Sequence, residues 1–274
     1  MKDFPKGGLI GKVMGVSGTI KQMQIPLHAA YAAYFIVLAA FPALVLLLSV
    51  LRYTGINVEV LVDMISGFLP GTMARSAEKL IYSTYRNSTG AMVGFSAVTA
   101  LWSSSRGIYG LLTGLNAVYG VSENRGYIYT RSISVVYTFV FLLILLLTLV
   151  LHVFGSSIIS LMRQIDNPVV VFFTDLIDMR FFLLLFLQSL VFTLMFMTLP
   201  NKRNHFLASL PGGVLSSLGW LIFSDIYSIY VENFSKYSTI YGSVYAIAIT
   251  MLWLYCCLSI LFYGGALNRY LMEK

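Results

Sequence analysis

The chain has 274 residues, of which 58% are hydrophobic and only 11% charged, whereas an ordinary soluble domain is about 25% charged. A soluble fold of this size cannot hide so much apolar surface, so lipid must solvate most of the chain, and the fold class is an all-α polytopic membrane protein. The net charge of +7 sits on Lys and Arg that flank apolar runs, with no aromatic-interleaved basic patch. It therefore reads as membrane topology, and nucleic acid is excluded as a partner.

Taken in chain order, residues 9–24 carry Leu9, Ile10, Val13 and Met14 on one side and Lys12 and Lys21 elsewhere, the pattern of an interfacial helix drawn to anionic lipid. Runs of about 20 residues without charge mark transmembrane spans. They fall at 29–51, 87–105, 132–154, 181–199, 212–231, which Asp225 interrupts, and 243–267, which makes six, in one helical domain covering 1–274. Between the first two, Thr72 after Pro70-Gly71 can cap a second interfacial helix over 72–86, with Met73, Ala77, Leu80, Ile81 and Thr84 at helical period. Six spans put eleven Lys and Arg on the side of the two termini and seven on the other, so both termini are expected in the cytoplasm.

Enzyme chemistry finds no foothold. None of His28, His152 and His205 has a second histidine or a carboxylate at metal-ligand spacing, and Cys256 and Cys257 are adjacent inside an apolar run. No nucleophile elbow or phosphate-binding loop occurs, so neither catalytic residues, a metal nor a cofactor is expected.

Polar groups at membrane depth are costly and carry a functional prior. Arg106 closes Trp102-Ser103-Ser104-Ser105-Arg106 between two long uncharged runs. Its fork could hold an anionic headgroup with help from Ser103, Ser104 and Ser105, and with Tyr109 and Asn116 as further headgroup candidates. The competing reading has Arg106 ending the second span at the interface. Asp225 stands about 13 residues into the fifth span, or roughly 20 Å along it at helical rise; with Glu232 and Asn268 it forms the set of intramembrane polar or coupling candidates. Pro42, inside the first span, is a candidate hinge because it leaves the Leu38 carbonyl without its usual partner.

Several landmarks together resemble one family. The opening His28-Ala29-Ala30-Tyr31-Ala32-Ala33-Tyr34 runs on to Phe41-Pro42, and Trp102 to Gly107 is followed by Gly114-Leu115-Asn116-Ala117-Val118-Tyr119. Pro211-Gly212-Gly213, Trp220, Tyr241-Gly242-Ser243, Trp253-Leu254-Tyr255 and Gly264-Gly265-Ala266-Leu267-Asn268 complete the series. In order and spacing these resemble the YihY/BrkB family of bacterial inner-membrane proteins, formerly mislabelled ribonuclease BN. Leu267 stands where that family usually places a glutamate.

The resemblance implies a bacterial inner-membrane transporter or exporter, with a lipid or amphiphilic envelope precursor as the preferred cargo. The expected partners are membrane phospholipid or a lipid-linked precursor, with a second copy of the chain left open. Two other readings stand beside it: an ion- or proton-coupled solute transporter or channel using Asp225, and a non-transporting envelope scaffold.

Overall fold

A computed structural model describes residues 21–51, 89–126, 128–137, 180–233 and 236–273, with isolated positions at 59, 62, 78 and 81–83. The helices are α1 (Ile25–Leu51), α2 (Gly90–Tyr119), α3 (Arg180–Thr198), α4 (Phe206–Asn233) and α5 (Lys236–Met272), with a further helical stretch at 128–137. Among the described residues there is no strand, and their regular structure is helical throughout. Three of these segments, Phe181–Thr198, Phe206–Val231 and Ile247–Met272, are long and apolar enough to cross a membrane, and Ile25–Ala40 is a shorter apolar one. The interfacial helix expected over 72–86 and most of the third span, 132–154, lie outside the described residues, as does nearly all of 9–24.

Helix α2 differs most from its expected bounds. Its start is set by Thr89, whose extended backbone and hydroxyl, accepting from Met92 N, make an N-cap. It then runs through Ser105 and Arg106 without a break to Tyr119. Gly120 ends it in the left-handed conformation (φ 67°, ψ 33°). There Gly120 N donates to Ala117 O at 3.2 Å and Val121 N to Asn116 O at 2.9 Å, a Schellman closure that a residue bearing a Cβ disfavours.

The Gly- and Ser-rich half of α2 is helical because its small residues let α1 come close. Ala29, Ala32 and Ala33 of α1 are buried against it. A Cβ on Gly110 would lie 2.6 Å from the Tyr31 ring and 3.3 Å from Ala32 Cα. In lipid, where the hydrophobic effect gives helices no reason to associate, such close backbone contact supplies the dispersion energy.

Helix α4 packs between α3 and α5, and α5 also reaches α1 and α2. The core lies where these meet, around Leu115, Phe196, Leu258, Leu261 and Phe262. The α4–α5 seam is the tightest contact: a Cβ on Gly264 would collide with Ser216 Oγ and lie 2.7 Å from the Gly212 carbonyl. Gly264→Ala is expected to cost about 2 kcal/mol through overpacking. The melting temperature in detergent should fall by roughly 5 °C, and an unchanged melt would show that the seam can open at no cost.

Candidate functional site

Two polar neighbourhoods stand out. The first surrounds Arg106, which lies 16 residues after Gly90 and 13 before Tyr119, so about 24 Å and about 20 Å of helix extend to either side. Between Ser103 and Tyr119 every other residue is buried or half-buried; Arg106 alone is exposed. Its guanidinium carbon lies 4.9 Å from the centre of the Trp102 ring and 5.8 Å from that of Phe35 on α1. Trp102 and Phe35 meet edge to face at 6.5 Å, forming an aromatic shelf under the cation.

The serines do not gather with it. Consecutive helical residues are about 100° apart: Ser103 and Ser105 turn into the bundle at 1% exposure each, and Ser104 Oγ donates back to Ala100 O at 2.6 Å. Tyr109, one turn on from Arg106, is half-buried. Arg131, from the 128–137 stretch, donates from Nη2 to Trp102 O at 3.2 Å. In the sequence it registered only as a topological charge.

The second neighbourhood is a hydrogen-bonded hub at the basic end of the bundle, built from the loops after α2 and α3. Asn116, 4% exposed, belongs to it: its Nδ2 donates to Glu123 Oε2 at 2.8 Å, and its Oδ1 accepts from Asn201 N at 2.7 Å. Glu123 pairs with Arg125 at 2.6 Å, with both side chains under a fifth exposed. Arg125 also donates to Leu199 O at 2.8 Å, just past the end of α3. Asn201 Nδ2 donates to Ser122 O and Asn124 Oδ1, and Asn204 Nδ2 to Phe196 O at 2.9 Å. Arg269 of α5 donates to Val118 O at 2.8 Å and pairs with Glu273.

Arg125 and Arg269 thus satisfy carbonyls at the C-terminal ends of two helices, where cations are favoured. The hydrogen bond from the Arg125 side chain, foremost, and then those from the Arg125 backbone and Asn116, hold the Glu123 carboxyl below the usual glutamate range against the opposing effect of burial. Sequence reasoning missed the hub. Its only signals were two polar clusters, Ser122-Glu123-Asn124-Arg125 and Asn201-Lys202-Arg203-Asn204.

The remaining candidates stand apart. Asn268, fully buried, joins α5 to α4: its Oδ1 accepts from Gly212 N at 2.7 Å and its Nδ2 donates to Ser209 O at 2.9 Å. Asp225 is exposed on α4, 19 residues past Phe206, and makes no ion pair among the described residues. Glu232 is in the last turn of α4, its side chain outside the described part. Pro42 is half-buried within α1. Among the described residues no three of His, Cys, Asp and Glu come together as metal ligands.

An open groove of about 390 Å³ runs along α3 and α4, walled by Phe182, Leu185, Phe186, Leu190, Phe206, Leu210 and Val214. One polar residue lines it, Ser189, whose buried Oγ has no hydrogen-bond partner among the described residues.

A family model described as virulence factor BrkB matches residues 16–274. The putative ribonuclease-like protein YfkH of Bacillus subtilis (strain 168) is 30% identical over 246 residues, covering 90% of each chain. A UPF0761 membrane protein of Vibrio atlanticus (strain LGP32) is 23% identical, covering 92% of this chain and 79% of its own. Another, from Aliivibrio fischeri (strain ATCC 700601 / ES114), is 27% identical over 91% and 79%. No solved structure matches. With the match running through both polar neighbourhoods and all five helices, the chain belongs to the BrkB virulence-factor family of membrane proteins.

Proposed function

We propose that the protein is a bacterial inner-membrane transporter or exporter that moves a lipid or amphiphilic envelope precursor, in a six-span arrangement with both termini in the cytoplasm. The observation that carries this reading is Arg106, an exposed guanidinium at mid-helix, resting on Trp102 and Phe35 and without a carboxylate partner among the described residues. A bare charge within a membrane span is expensive in hydrocarbon and is kept where an anion or water compensates it. A migrating headgroup supplies such an anion. The groove along α3 and α4 adds apolar wall of the kind an acyl chain follows.

The reading is tested with purified protein in liposomes bearing a fluorescent phospholipid quenched from outside. The protein is expected to move label faster than empty vesicles, and Arg106→Gln to slow that movement at least about tenfold, the scale of one lost charge-assisted hydrogen bond. Equal rates with and without protein would end the proposal.

The exposure of Asp225 without an ion pair among the described residues supports a second reading, cation- or proton-coupled transport of a small solute. Solute uptake is then abolished in Asp225→Asn. Uptake equal to that of the unaltered protein would discard this role.

A further inference from the structure

We infer that Arg106 and Arg131 together hold the headgroup of a lipid ending in a phosphomonoester, over Trp102, and so favour doubly charged headgroups over singly charged or zwitterionic ones. The inference rests on the lipid reading of Arg106 and adds its ligand class. Both guanidiniums engage one residue: Arg106 lies on the Trp102 ring at 4.9 Å, and Arg131 donates to the Trp102 carbonyl at 3.2 Å. A regular helix pairs the carbonyl of residue 102 with the N–H of residue 106, which puts the Arg131 head beside the Arg106 backbone.

Neither cation is balanced within the described part of the chain. There Glu123 is taken by Arg125 and Glu273 by Arg269. Like charges brought together beside low-dielectric surroundings repel, so the pair calls for an anion of matching charge. Stacking occupies only the flat face of Arg106 and leaves its edge donors free, and Arg131 has committed one N–H of five. A phosphodiester brings one negative charge. A phosphomonoester brings about −1.5 to −2 and three acceptor oxygens, enough for two guanidinium forks.

The test is displacement of fluorescent phosphatidate from the purified full chain in phosphatidylcholine nanodiscs, by unlabelled phosphatidate, phosphatidylglycerol or inorganic phosphate. Phosphatidate is expected to displace at least about tenfold better than phosphatidylglycerol, and the advantage to shrink as pH falls below about 6, where the monoester dianion takes up a proton and becomes a monoanion. Arg131→Gln and Arg106→Gln should each reduce the preference to within about twofold, and the double variant no further, because the two act on one ligand. Arg131→Lys, which keeps the charge and loses the fork, should fall between and serves as the deciding variant if Arg131→Gln does not fold.

Equal displacement by both lipids, or a full preference in Arg131→Gln, overturns the inference. Displacement by inorganic phosphate as strong as by phosphatidate assigns the site to a free anion and overturns it too. A preference kept by protein that moves no lipid removes the transport reading and leaves this one standing. Transport without preference does the reverse.

Discussion

Asn268→Leu is expected to destabilise the protein by about 4 kcal/mol, more than any other single change at the polar positions considered. The leucine keeps the branched skeleton but loses both hydrogen bonds, and its bulkier methyls overpack a fully buried position. It strands Gly212 N and Ser209 O, both now paired with the Asn268 amide in the α4–α5 seam, and each buried orphan costs about 1–3 kcal/mol. The position matters because Pro211 lies inside α4. Proline has no N–H and presses on the carbonyl one turn back, and the side chain of Asn268 holds the helix at the next residue. The melting temperature in detergent should fall by about 10 °C or more. A melt unchanged in Asn268→Leu would mean that water can enter the seam and replace the amide.

The second large effect is on pH dependence. Glu123 has its carboxyl held below the usual range by Arg125, while in the unfolded chain it titrates near its ordinary value of about 4.3. A depressed folded value means that the native state binds the proton less readily than the unfolded state. The stabilisation is therefore fully present above the unfolded value and is lost as pH falls through the folded one. The melting temperature should decline below about pH 4.5, with amide exchange around Ser122 and Asn201 rising first. Glu123→Gln should cost about 2 kcal/mol at neutral pH, since it leaves a largely buried Arg125 without its anion, and it should remove that part of the acid dependence. An acid decline identical in the variant would assign it to other carboxylates.

Membrane character and all-helical architecture are legible in the sequence because hydropathy is a sum over neighbours in the chain. The apolar runs Phe181–Thr198 and Ile247–Met272 can be recognised with no knowledge of what they touch. The family likeness is legible for a similar reason, as short blocks in a set order. Residues 107–119 are different. Three glycines and a weak apolar pattern make them resemble a connection after a span, and their helicity depends on Ala29, Ala32 and Ala33 packing into the space the glycines leave.

Polar residues show the same divide. Read along the chain, Asn116 is a headgroup candidate and Asn268 an intramembrane coupling candidate, since an amide near a membrane is costly unless it has a use. In the fold each spends its amide on backbone or loop, 85 and 59 residues away at the longest reach, partners that no window of sequence contains. Arg106 shows both sides of the matter. Its charge and its uncharged surroundings were plain from the sequence. Its depth within a continuous helix, its aromatic shelf and its neighbour Arg131 were decided by tertiary structure alone. Solvent preference and helical period are local properties of a chain, whereas the pairing of a buried donor with its acceptor depends on which distant segments the packing brings together.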